Sequence, residues 1–332
     1  MARIVLGLGT SHTPMLLASD ETLRRFEETD KTIKHRDKEG RPVTYGDLLE
    51  MADPKLAALV APEQLVARQN VARAAVKHVA QALASARLDA LVVIGDDQDE
   101  SYKADCRPAF AVYYGETIRN SNEQHENYRE RFPEWYVNNR QAVFEDERPR
   151  DYPVHSGLAV NIVEFLMDSD FDVAASQQLP QGEGEGHAIA YVHRRVMDPV
   201  RPVPVVPIFL NTYYPPNRPR PRRCYAFGQA LRQAIENFSG DDRVGILASG
   251  GLSHFLVDEA FDRAILKACA DRDAAFLQAL PRHKLHAGSS EILNWVALSG
   301  AVEHLDLGWF EYVPGYRTPA GTGTGLSFAT WS

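Results

Sequence analysis

The stretch ALVVIGDDQDESY, residues 90–102, begins as a run of apolar and small residues and ends in four acidic side chains, Asp96, Asp97, Asp99 and Glu100, around one amide, Gln98. A short β-branched run with no polar alternation reads as a strand buried on both faces. A strand that runs out into a charged loop delivers side chains to a site. The reading of the whole chain turns on what this cluster holds, and on why it contains Gln98 where a histidine would be the stronger metal ligand.

Outward from this stretch the same alternation repeats. RIVLGLG (3–9), FAVYY (110–114), FDVAAS (171–176), VPVVPIFL (203–210) and RVGILASG (243–250) read as strands. Residues 62–86, 157–168, 224–238 and 258–280 carry apolar side chains at helical spacing between them. Strands alternating with helices predict an α/β fold, with a central, mostly parallel or mixed sheet flanked by helices. No repeat or long linker divides the 332 residues, so a single domain spanning 1–332 is expected. Polar, irregular insertions at about 18–60 and 115–155 then pass over the site or a partner surface.

The net charge of −9 argues against a nucleic-acid binder or an anionic-membrane binder, since either polyanion would be repelled. RPRPRRC (218–224) is the one basic cluster, and a solvated Pro-rich loop is its simpler account. Cys106, Cys224 and Cys269 are widely spaced without a CxxC pair, which supports neither a disulfide framework nor a thiolate metal site. No apolar run approaches the roughly 20 residues of a membrane span, and the first residues carry no signal-peptide core. The expected compartment is the cytoplasm.

The chemistry gathers at strand ends. RIVLGLG leads into TSHTP with His12, ALVVIG into DDQDE, and RVGILASG into GLSHFLVDEAFD with His254, Asp258 and Glu259, while QGEGEGHAIAYV (181–192) sets His187 after a glycine-rich stretch. In open α/β sheets ligands bind outside the carboxyl ends of strands, so these loops are expected to be neighbours. Imidazole, carboxylate and neutral oxygen donors suit a divalent first-row metal. Each residue also has a plainer account. His12 fits a buried, hydrogen-bonded histidine equally well; Asp96 and Asp97 are turn formers; Asp258 and Glu259 are favourable charges in the first turn of a helix.

Seven stretches, GLGTSHTPML (7–16), VVIGDDQDE (92–100), GHAIAYVHRRVM (186–197), VPIFLNTYYPPNRPRPRRCYAFGQALR (206–232), ASGGLSHFLVDEAFD (248–262), AGSSEILNW (287–295) and YRTPAGTGTGLSFATW (316–331), together resemble the class III extradiol ring-cleavage dioxygenases. This is the superfamily of the protocatechuate 4,5-dioxygenase β subunit, and the likeness extends to its 3-O-methylgallate dioxygenase branch. They run from end to end of the chain in one order. The resemblance implies a non-heme Fe(II) held by two histidines and a glutamate, a chelated catechol-type ring such as a gallate, and O₂ activation at the remaining position. It places His12 as the first histidine ligand and His187 as the acid/base. His254 borders the pocket as a second catalytic candidate, and Asp97, Glu100, Ser290 and Asn294 are the expected substrate-binding side chains. It further implies a homodimer.

Two positions depart from that pattern. The second histidine ligand falls at Gln98, whose carbonyl oxygen would ligate more weakly than imidazole. The glutamate ligand is expected directly before the Phe-Asp pair of VDEAFD, where Ala260 stands; Glu259 is one residue earlier, turned by roughly 100° on a helix. The expected metal set is therefore His12, Gln98 and Glu259. The departures keep two alternatives open. One is an enzyme of the same fold with oxygen-independent acid/base chemistry, as a hydrolase, lyase or decarboxylase; the other is a non-catalytic binding subunit. Tyr213, Tyr214 or Trp295 could sandwich a ring or simply pack, and the arginines of NTYYPPNRPRPRR could read a substrate carboxylate or coat a loop.

Overall fold

Along the strand that opened the sequence reading, side chains alternate between two cores. Ala90, Val92 and Ile94 enter one hydrophobic cluster with Leu158, Phe227 and Trp295, while Leu91 and Val93 enter another with Val76, Val79 and Tyr191. Because both faces are covered, the strand reads as one continuous apolar run. The computed structural model describes residues 1–122, 132–145, 148–179 and 184–332. Parts of the 115–155 insertion and of the glycine-rich stretch before His187 therefore lie outside the described residues.

The main sheet contains β1 (Arg3–Thr10), β2 (Ala90–Asp96), β3 (Phe110–Tyr113), β4 (Ala174–Ser176), β5 (Val205–Leu210), β6 (Arg243–Ser249), β7 (His254–Leu256), β8 (Leu307–Tyr316) and β9 (Thr322–Trp331). Their order is β7-β9-β1-β6-β2-β5-β3-β4, with β8 on the other side of β9. Strands β1, β6, β2 and β5 run parallel side by side, while β7, β8 and β9 are antiparallel, as is the β3–β5 pair. The sheet is mixed, as expected. Its parallel centre aligns the carboxyl ends: Thr10 pairs with Ser249 and Asp96 with Leu210.

The flanking helices are α1 (Asp20–Asp30), α2 (Pro62–Ser85), α3 (Glu134–Gln141), α4 (Ser156–Asp168), α5 (His187–Tyr191), α6 (Pro221–Asn237), α7 (Glu259–Asp271) and α8 (Ile292–Ala301). Prolines occupy the first turn of α2 and α6, where the missing N–H costs nothing. The helical pattern read over 258–280 divides in two, because Arg272 adopts a left-handed conformation and Asp273 caps a second short helix. The strand read over 171–176 shrinks to Ala174–Ser176. Among the described residues, no helix is long and apolar enough to cross a membrane.

Strands β8 and β9 form a long pair at the end of the sheet, and β9 holds residues 328–331 against β1. Under β9 lies the fully buried carboxylate of Asp262, which accepts from Ser253 N (2.9 Å), Ser253 Oγ (2.7 Å) and Tyr312 Oη (2.8 Å). Gly325 is required above it: a Cβ there would come within 2.0 Å of Asp262 Oδ2. Burial pushes this carboxyl up to about 6 against the pull of its three donors. A carboxyl raised above its unfolded value contributes stability that is complete below the unfolded pKa and lost as pH rises through the folded one. Relative to Asp262→Asn, wild-type unfolding free energy is therefore expected to fall by about 1.4 kcal/mol per pH unit between pH 4 and 6. Urea unfolding over that range checks this; parallel curves for the two proteins would exclude Asp262 as the titrating group.

Candidate metal centre and active site

The four parallel strand ends feed one cleft. Past β1 comes His12, from β2 come Asp96 and Gln98, past β5 comes Tyr213, and past β6 comes the Gly250–Gly251 turn that leads to His254. Two further pieces close the ring: the N-terminus of α5 brings His187, and the turn Ala287–Glu291 that starts α8 brings Glu291.

Hydrogen bonding fixes which imidazole nitrogen faces the cleft. Ser249 Oγ donates to Ala188 O (2.8 Å), so it accepts from His12 Nδ1 (2.9 Å) and leaves the His12 Nε2 lone pair pointing inward. The Glu100 carboxylate accepts from His187 Nδ1 (2.7 Å) and from His187 N (3.1 Å), which turns His187 Nε2 inward in the same way. The two Nε2 atoms stand 3.2 Å apart. Two lone pairs at that separation repel unless a cation or a proton lies between them. Asp96 Oδ1, fully buried and without a hydrogen-bond partner, lies 3.8 Å from His12 Nε2. Ligand atoms of His12, Asp96 and His187 all fall within 4.8 Å of one another. An orphaned carboxylate oxygen facing two imidazole lone pairs fits a divalent cation.

Glu291 is the hub. Its Oε1 accepts from Tyr213 Oη (3.0 Å) and Gln98 Nε2 (3.5 Å) and meets His254 Nε2 at 3.1 Å, while its Oε2 accepts from Gly251 N (2.8 Å) and lies 3.4 Å from His12 Nε2. His254 Nδ1 donates to Leu252 O (2.9 Å), and its ring lies so close to Gly288 that a Cβ there would approach within 1.6 Å. Burial by itself would raise the Glu291 carboxyl, but His254 and His12 hold it well below the usual carboxylate range. Burial and then the Glu291 charge push Asp96 up. Burial would lower His12, yet Glu291, Asp96 and Glu100 overcome it and the net direction is upward. Burial, then Glu291 and Asp96, push the Tyr213 phenol well above 10, so it remains a donor.

The structure thus brings together His12, His187 and His254. It brings in Gln98 differently from expectation: Nε2 donates to Asp96 Oδ2 (3.1 Å) and sits 3.4 Å from His187 Nε2, while Oε1 accepts from Arg140 (3.5 Å). Surrounded by acceptors, the amide presents its donor end, which cannot ligate, rather than its carbonyl. Glu259 is not brought in. Asp258 caps α7 immediately before it, so the helix does not start late, and Glu259 accepts instead from Tyr316 Oη (2.9 Å) and Arg263 (3.5 Å).

The expected substrate contacts serve the scaffold. Asp97 accepts from Ser101 N (2.7 Å) and Tyr102 N (3.2 Å), with burial and Glu100 raising its carboxyl to about 7. Glu100 orients His187. Ser290 Oγ turns back to Ala287 O (2.5 Å), and Asn294 Nδ2 ties down Ser249 O (2.9 Å). Sequence reasoning missed Glu291. Its signal was an acidic residue directly before the apolar run ILNWVALSGA, where a charge is costly unless it has partners.

Thr13, Pro14, Leu17, Tyr136, Val143 and Phe255 wall the cleft above these groups, and among the described residues its arginines are Arg140 and Arg317. Arg317 is forked onto Asp30 at 2.6 and 2.7 Å. Trp295 is buried beneath Gly9 and donates to Gly250 O (2.9 Å), so it packs rather than faces a ring.

Residues 54–307 match the family described as the catalytic LigB subunit of aromatic ring-opening dioxygenase. The chain is similar to a gallate dioxygenase of Pseudomonas putida, 36% identical over 113 residues, which are 33% of this chain and 32% of that protein. It is also similar to a 2,3-dihydroxyphenylpropionate/2,3-dihydroxicinnamic acid 1,2-dioxygenase of Comamonas testosteroni, 33% identical over 97 residues, 29% of each chain. The aligned stretches span about a third of the length of these curated relatives. With the family match covering more than half of its residues, the chain belongs to the family of the catalytic LigB subunit of aromatic ring-opening dioxygenases.

Proposed function

We propose that this protein is a non-heme Fe(II)-dependent extradiol dioxygenase that opens the ring of a gallate-like or otherwise substituted catechol with O₂. A homodimeric, cytoplasmic enzyme is the form implied by the resemblance and composition. The observation that carries the reading is the convergence of His12 Nε2, His187 Nε2, the orphaned Asp96 Oδ1 and the Glu291 carboxylate on one buried point. An all-nitrogen-and-oxygen donor set suits a first-row divalent ion. His12, Asp96 and Glu291 would hold it, and when bound it would supply Lewis acidity and open positions for the diol and O₂.

The chain's own groups then divide the remaining work. His187 takes a diol proton at Nε2, because Glu100 keeps the other nitrogen protonated and steadies the imidazolium that forms. The same atom returns the proton as the ring opens. Tyr213 donates a hydrogen bond beside Glu291, and His254 keeps that carboxylate ionised and oriented. Leu17, Val143 and Phe255 supply apolar wall to the cleft beside these groups.

Protein purified anaerobically and loaded with Fe(II) is expected to bind one iron per chain and to consume O₂ with gallate, 3-O-methylgallate, protocatechuate or a substituted catechol. No iron and no uptake would overturn the proposal. His12→Ala and Glu291→Gln are expected to abolish metal binding measured by elemental analysis, whereas Glu259→Gln keeps it; loss of metal in the last variant alone would return Glu259 to the ligand set. His187→Ala is expected to retain metal while turnover falls by about 10²-fold or more. Loss of metal instead would place His187 among the ligands.

A further inference from the structure

We infer that Glu185, locked to His193, is a positioning residue for His187: it fixes where the helix that carries the acid/base imidazole begins. This rests on the proton-transfer role proposed for His187 and adds the device that aims it. His187 is the first residue of α5, and Gly186 before it offers no side chain to cap the helix. A Cβ at Gly186 would come within 2.8 Å of Glu100 Oε2, so anything larger would push that carboxylate off His187. The contact between His187 and Glu100 therefore hangs on a glycine link, whose freedom has to be removed by its neighbour.

Glu185 removes it. Its N–H donates to Arg119 O (2.7 Å), and its carboxylate accepts from Asn120 Nδ2 (2.6 Å) and His193 Nδ1 (2.8 Å). His193 stands eight residues further on, in the turn Val192–Val196 that continues α5. Side chains on a helix lean toward its N-terminus, so the ring reaches back and closes the chain onto its own helix. The socket comes from the 115–155 insertion. Tyr152 stacks on the His193 ring (centroids 3.9 Å apart, planes 7° apart) and donates to Glu145 Oε1 (2.7 Å), while Glu145 N donates to Asn120 Oδ1 (2.7 Å). Stability alone does not account for this pair. Both side chains are fully buried, and His193 Nε2 has no hydrogen-bond partner among the described residues. A buried carboxylate–imidazole pair with an unsatisfied nitrogen costs free energy, and apolar side chains of the same size often hold a core as well or better. What those would not do is tie one end of a helix to one position.

Proton NMR of the full chain at neutral pH tests this without turnover. The ring N–H that His187 gives to Glu100 is identified by its loss in His187→Ala, and in wild type it is expected to exchange slowly with water. In Glu185→Ala its exchange should quicken by about tenfold or more, with Glu185→Gln in between. His193→Phe, which keeps a ring to stack on Tyr152, should act as Glu185→Ala does and takes its place if that variant does not fold. In Fe(II)-loaded protein, Glu185→Ala should lower kcat by about tenfold or more with KM and iron content kept, and should cost nothing further in the His187→Ala background. Unchanged His187 exchange, free exchange already in wild type, or an equal loss of kcat in both backgrounds would overturn the inference. Faster His187 exchange in variants of a protein that consumes no O₂ with any catechol would support the positioning role while overturning the ring-cleaving function beneath it.

Discussion

A carboxylate buried where a helix begins has to be surrounded by donors or cations, and the candidate site is organised around meeting that demand for Glu291. An ionised group taken out of water costs several kcal/mol unless its hydrogen bonds and charge partners are supplied. Here they come from every direction: a backbone N–H from the turn after β6, a phenol from the loop after β5, an amide from the loop after β2, and imidazoles from the loops after β1 and β6. Loops far apart in sequence are therefore held in one geometry by a single side chain.

The same helix fastens the sheet that presents those loops. Within four residues of Glu291, Asn294 binds the last carbonyl of β6 and Trp295 binds the next one while packing beneath Gly9 of β1. The hub and its scaffold are therefore one rigid piece. Behind the other imidazole, Glu100 plays the corresponding part: it holds His187 by both a ring nitrogen and the backbone. Glu100, read from sequence as a ligand contact, here sets the aim of His187, and Asp97, Ser290 and Asn294 bond to backbone; a reacting group needs such ordering around it as much as its own chemistry.

The fold was legible because strands covered on both faces leave unbroken apolar runs, and because a histidine just past such a run is conspicuous. His12 and His254 stood out this way, and His187 by the glycine-rich stretch before it. The pair β8–β9 was not, since VPGYRTPAGTGTG is rich in residues that ordinarily weaken strands. Here they make room for Asp262 and for the neighbouring backbone. Glu259 misled for a related reason: acids are common in the first turn of a helix, and nothing local distinguishes one that caps and pairs from one that ligates. Glu291 escaped because its partners all come from other parts of the chain, so its cost and its compensation appear together only after folding.

Residue Gly7 of β1 lies opposite Trp331 of β9, which gives the centre of the molecule a particular assembly history. The strand that leads to His12 is made well before its antiparallel neighbour, from which several hundred residues separate it. A nascent polypeptide lacking that last strand leaves one edge of β1 open. Contacts of such long sequence separation are slow to form, and an uncovered strand edge is where chains pair with the wrong neighbour.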